Sequence, residues 1–143
     1  MAVSPEAIVV GTDGSSTATV AVDHAAKLAR STGAVVHLVC AYNPVPGHGL
    51  AAEAFDYNNP RDDAEACLSE AAELIRSNGV EVETHAVPGS AALALVEVAQ
   101  AARASMVVVG SKGMTGSRRF LLGSVPDKIS HHAPCSVMIV RTN

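Results

Sequence analysis

Val107-Val-Val-Gly-Ser-Lys-Gly-Met-Thr-Gly-Ser-Arg-Arg-Phe-Leu-Leu-Gly-Ser-Val125 joins an apolar run to a glycine-rich loop and then to a helix start. The run, Met106 to Gly110, is short, continuously apolar and β-branched, the pattern of a strand buried on both faces of a parallel sheet. Glycines at 110, 113 and 116 let the backbone turn its N–H groups inward without a Cβ in the way. Gly123-Ser124 then opens a helix whose first amides lack intrahelical partners and sit at the positive end of the helix dipole. Lys112, Arg118 and Arg119 add positive charge to the same loop. Such a segment is suited to holding phosphate. The competing reading is a surface loop with turn glycines and solvated cations. The spacing Gly110-x2-Gly113-x9-Gly123-Ser124 is moderately specific alone, and its place between a buried strand and a helix strengthens it.

Working outward, Ala7 to Gly11 is a second buried strand, closed by the turn Thr12-Asp13-Gly14-Ser15-Ser16. Ala18, Ala21, Val22, Ala25, Leu28 and Ala29 then recur at helical spacing until Gly33, and Val35 to Ala41 is another strand. This βαβ unit has a right-handed crossover in nearly all known cases. Residues 42–59 carry prolines, glycines and asparagines and are expected to form a flexible loop. Pro60 marks a helix start, with an apolar stripe through Ala64, Leu68, Ala71 and Ile75 and a stop at Asn78-Gly79. Val80 to Val87 interleaves Glu81, Glu83 and His85 with apolar residues, as a sheet-edge strand does. Pro88-Gly89 reads as a turn and Ser90 as a cap. Leu93, Leu95, Val96, Val98 and Ala99 build a helix that Arg103 ends. A helix from Gly123 to about His132 and a last strand, Ser136 to Val140, complete the chain.

Strand and helix alternate throughout, so the expected class is α/β. The predicted architecture is a single-domain, Rossmann-like open parallel sheet of five strands, order 3-2-1-4-5, with helices on both faces, spanning 1–143. Ligands of such sheets bind beyond the carboxyl ends of the strands where strand order reverses, here between the first and fourth. The Thr12-Asp13 turn and the glycine loop would face each other there. Asp13 has two readings. Its carboxylate can accept from ribose hydroxyls or reach a divalent cation held by phosphate oxygens, or it can serve an Asp-Gly turn.

Composition narrows the classes. A chain of 143 residues is long enough for one ordinary core. Net charge is -4 and aromatic content 3%, which argues against nucleic acid as a partner. Cys40, Cys67 and Cys135 are odd in number and lack C-x-x-C spacing, as expected of reduced core thiols in a cytoplasmic protein. His24, His37, His48, His85, His131 and His132 show no metal-ligand spacing. No apolar stretch approaches the ~18 residues that cross a bilayer, and no targeting segment is read at the N-terminus, so a cytoplasmic location without membrane association is expected.

The motifs Val-Val-Gly-Thr-Asp-Gly-Ser at 9–15, Val-Val-Val-Gly-Ser-Lys-Gly at 107–113, Leu-Leu-Gly-Ser-Val at 121–125 and the ending Ala-Pro-Cys-Ser-Val-Met-Ile-Val resemble the universal stress protein family. The resemblance spans the whole chain, points to the nucleotide-binding branch, and looks bacterial, of actinobacterial type. It implies that Asp13 meets ribose, with Gly11 and Thr12 near base and sugar and the main chain of Ala41 at adenine. Gly110, Lys112, Gly113 and Gly116 would wrap ribose and phosphates, and Gly123, Ser124 and Val125 would donate to the phosphate tail. It further implies a homodimer through Ser136 to Val140. The ligand expected is ATP, with AMP or cyclic AMP as alternatives, and magnesium reached by Asp13 only through the nucleotide. No base stands out to position water beside the phosphates, so the expected role is a stress-response sensor or signalling module with little or no turnover. A slow ATP-hydrolysing or adenylating enzyme is the alternative. The Gly-Thr-Asp-Gly-Ser-Ser turn differs from the Ser-Gly-Gly-x-Asp-Ser loop of ATP pyrophosphatases, and a receiver domain would need clustered aspartates that Val87-Pro88-Gly89 does not provide.

Overall fold

The computed structural model describes residues 6–44, 59–111 and 124–142. Five strands, β1 (Ala7–Gly11), β2 (Val35–Tyr42), β3 (Val82–Pro88), β4 (Met106–Gly110) and β5 (Ser136–Val140), form one sheet in the order β3-β2-β1-β4-β5. Every pairing is parallel, as the crossover lengths require. The helices among the described residues are α1 (Ser16–Thr32), α2 (Pro60–Ser77), α3 (Ala91–Ala102) and α4 (Ser124–His132).

Alternation along the strands divides the core into two layers. Ile8, Val10, Val36, Leu38 and Val108 face α1 and α2, where Ala21, Val22, Ala25, Leu68 and Ile75 cover them. Val9, Val39, Val107 and Val109 face α3 and α4, against Leu95, Val98 and Ile129. Val9 and Val10 are consecutive and both fully buried, so β1 is covered on both sides. Full burial of each such side chain is worth about 1.5–3 kcal/mol, which makes this centre of the sheet its firmest part.

Local chemistry sets the helix ends. Ser15, Asn59 and Ser90 accept from the amides of Ala18, Arg61 and Leu93, and each such cap contributes about 1 kcal/mol. Pro60 stands in the first turn of α2, where its missing N–H costs nothing. Gly33 closes α1 at a φ of 78°. Arg103 closes α3 with a φ of 52°, a left-handed cap without glycine.

The observed boundaries depart from sequence expectation at three points. Tyr42 is the last residue of β2 rather than the first of the loop, because Tyr42 pairs with Pro88 and its carbonyl accepts from Gly89 at 2.8 Å. Pro88 accordingly belongs to β3, which tolerates proline because it is an edge strand. Val80 and Glu81 precede β3 instead of opening it. Leu93 is 65% exposed and takes no part in the core, since α3 turns it away from the sheet. Residues 45–58 of the expected loop and Gly123 lie outside the described residues.

Candidate functional site

The site is built from the turn after β1. The Thr12 amide donates to the Val39 carbonyl at 2.9 Å, extending the β1–β2 ladder one residue past Gly11. Thr12 is 2% exposed, and its hydroxyl accepts from the Gly14 amide at 3.1 Å. Asp13 Oδ1 accepts from the Ser15 amide at 2.9 Å, and Ser15 in turn caps α1. Gly14 adopts a φ of 83°, a conformation in which a side chain would be strained. The turn reading of Asp13 is thus observed directly. One carboxylate oxygen serves the turn, and the side chain remains exposed to what lies beyond it.

These bonds direct Ala41 as well. The Val39 carbonyl points to β1 and the Tyr42 carbonyl to β3, where Gly89 meets it. Strand alternation then turns the amide and carbonyl of Ala41 toward the β1 side. The chain that would have continued the β1 ladder bends away there, its amides taken by Thr12 Oγ1 and Asp13 Oδ1. The main chain of Ala41 thus faces the space above the end of β1.

On the other side of that space β4 ends at Gly110, and the Ser111 amide donates to the Val140 carbonyl at 2.7 Å. Gly11 and Gly110 at this edge have a packing reason to be small. A Cβ on Gly11 would lie 3.3 Å from Leu95 Cδ2, and one on Gly110 would lie 3.0 Å from Thr142 Cγ2. Among the described residues the Thr142 hydroxyl, buried there, has no hydrogen-bond partner. Because β4 and β5 are parallel, α4 runs back along the sheet and starts at its carboxyl edge. Ser124 at that start is exposed, while Val125 packs into the core beneath α3 and α4.

Gly11, Thr12, Asp13, Ala41, Gly110, Ser124 and Val125 are thus all placed at the carboxyl edge of the sheet, around the reversal of strand order between β1 and β4. Lys112, Gly113, Gly116 and Gly123 lie outside the described residues, as do Phe55 and Tyr57. Tyr42 is part-buried against the core on the α1 and α2 side. A cavity of about 260 Å³ lies below the turn, lined by Thr12, Gly14 and Cys67 among others. Burial, then the neighbouring Cys67 and Asp13, push the Cys40 thiol up to about 12, and burial also raises Cys135. These thiols stay protonated, as core residues do. Among the described residues there is no group of three or more potential metal ligands, and no helix is long and apolar enough to cross a membrane.

One pairing escaped sequence reasoning. His37 and His85 meet across β2 and β3, with His37 Nδ1 and His85 Nε2 2.9 Å apart. The parallel register, which sets His37 opposite Glu83 and Val39 opposite His85, puts the two rings on one face. Only the strand pairing could have revealed it.

Residues 5–141 match the model of the universal stress protein family. The universal stress protein Rv1636 of Mycobacterium tuberculosis is 34% identical over 140 residues, covering 94% of this chain and 95% of the relative. A solved universal stress protein in complex with cAMP superposes with a TM-score of 0.76 at 32% identity, covering 96% of this chain and 98% of the other. The universal stress protein of Archaeoglobus fulgidus in complex with dAMP gives 0.71 at 27% identity, with 95% and 98% covered.

Proposed function

Because the chain belongs to the universal stress protein family, we propose that it binds an adenine nucleotide in the crevice between the β1 turn and the end of β4. The carrying observation is the convergence of two features on one space: the exposed carboxylate of Asp13 and the main-chain groups of Ala41 that point past the end of β1. A carboxylate suits ribose hydroxyls, and an amide with a carbonyl suits the edge of adenine. The exposed start of α4 at Ser124 supplies amides for phosphate, beside the Gly110-x2-Gly113-x9-Gly123-Ser124 pattern. Nucleotide complexes of relatives support the same reading.

The favoured ligand is ATP, held with little or no turnover by a cytoplasmic sensor or signalling module. A divalent cation would arrive with the phosphates, with Asp13 in reach. Pairing of β5 with its counterpart in a second copy would make the homodimer. A cyclic AMP ligand is the second reading, favoured by the cAMP complex of a relative at 32% identity.

Mass spectrometry of natively purified protein for retained nucleotide, followed by calorimetry with ATP, AMP and cyclic AMP, tests the proposal. Tightest binding of ATP supports the first reading and tightest binding of cyclic AMP the second. Failure to bind any of the three overturns both.

A further inference from the structure

His37 is 12% exposed at its side chain and sits between Val9 of β1 and Glu83 of β3. Its Nδ1 lies 2.9 Å from His85 Nε2, and the ring planes differ by only 21° at a centroid separation of 5.1 Å. A ring N–H lies in the ring plane. A hydrogen bond of this length between nearly parallel rings therefore sets them edge to edge, since stacked faces keep about 3.5 Å between atoms. The two rings share one proton along that line. The charged groups nearby are Glu83, whose Oε2 is 3.7 Å from His37 Nε2, and Glu97 of α3, which lines a cavity of about 370 Å³ together with both histidines. β1 contributes only Val9 opposite His37. Among the described residues His37 and His85 belong to no group of three or more potential metal ligands.

The proton count decides its behaviour. The neutral pair has one N–H donating to one ring lone pair. A first added proton goes to an outer nitrogen, leaves the bond intact and makes it charge-assisted, with Glu83 beside it. A second places hydrogens on both facing nitrogens and two like charges against each other, so the bond is lost. We propose that His37 and His85 form an acid-labile clasp that holds edge strand β3 to β2 and releases it when the second proton binds.

Burial, then His37, lower the His85 pKa, with Glu83 opposing. A lowered folded-state value means that the folded chain resists that proton more than the unfolded chain does. The stabilisation is therefore present above the ordinary imidazole value of 6.5 and is lost as pH falls below it.

Two measurements on the full chain test the clasp. In protein labelled with 15N-histidine, the ring nitrogens of His85 are expected to take up their proton only below the ordinary imidazole value of 6.5. Protonation of His85 at or above that value overturns the proposal. Amide exchange across 82–88, corrected for intrinsic rates, is expected to accelerate about tenfold or more between pH 7 and pH 5, while the amides of 7–11 stay protected. His85→Phe should abolish that acceleration. Exchange across 82–88 that does not change with pH in the parent protein, or an acceleration that persists in His85→Phe, overturns the clasp. The titration needs no variant, so a misfolded His85→Phe chain leaves the test intact.

Discussion

The Thr12 amide donates to the Val39 carbonyl at 2.9 Å, and two residues beyond Val39 the main chain of Ala41 points the same way, with no strand opposite it among the described residues. That offset, made by a turn that spends its own amides on Thr12 and Asp13 side chains, opens the crevice.

Asp13 tests the offset. Asp13→Ala removes both the turn acceptor and the carboxylate, whereas Asp13→Asn keeps an acceptor for Ser15. A hydrogen bond to a charged group is worth about 1.5–3 kcal/mol, so both variants should lose roughly ten- to a hundredfold in ATP affinity by calorimetry. Only Asp13→Ala should also lower the melting temperature. Full affinity in Asp13→Asn would remove the carboxylate from the site.

Gly11 and Leu95 form a fitted pair, with 3.3 Å between a hypothetical Cβ and Leu95 Cδ2. Gly11→Ala should cost about 1–3 kcal/mol in urea unfolding through overpacking. In a Leu95→Val background the same change should cost less. Additive losses in the double-mutant cycle would show that the glycine is small for another reason.

Among the described residues the Thr142 hydroxyl, buried beside Gly110, has no hydrogen-bond partner. Thr142→Val keeps the methyl group against Gly110 and removes only the oxygen. Denaturant midpoints should rise, by about 1 kcal/mol of stability, because an unsatisfied buried hydroxyl costs about 1–3 kcal/mol. A fall in stability would mean that the hydroxyl is solvated.

The Cys40 thiol, pushed up to about 12 from an ordinary 9.0, gives an alkaline signature. A folded-state value raised above the unfolded one stabilises the fold fully below pH 9 and less as pH climbs toward 12. Stability should fall across that range in the parent protein and fall less in Cys40→Ala. Reaction of Cys40 with Ellman's reagent in the folded protein at pH 8 would contradict this burial.

The five strands and their order were legible because β-branched runs and helical stripes keep alternating on either side of the loops at 42–59 and after Gly110. Asp13 was legible for a similar reason, since an Asp-Gly pair straight after a buried strand has few places to go. Tyr42 was misread because a Tyr-Asn-Pro sequence signals a loop, while the bond from Gly89 that keeps it in β2 is made by a residue 47 positions away. Gly11 and Gly110 illustrate a different limit. Glycine reports that space is short, but whether Leu95, Thr142 or a ligand fills that space depends on packing between elements distant in sequence. The His37–His85 bond is of the same kind, set by the pairing of two strands.

The two borders of the sheet are chemically unlike. On β3, Glu83 and His85 interrupt the outer strand and Pro88 ends it, whereas β5 presents Ser136, Val137, Met138, Ile139 and Val140 without a single charge. The homodimer proposed above would use the β5 border, because charges and proline discourage pairing along β3. Joining two copies about a twofold axis at β5 would place a β3 border at each end of a ten-stranded sheet. Growth would then have nowhere to continue, and the proposed pair would be finite where a sheet open to pairing at both rims would extend into a fibre.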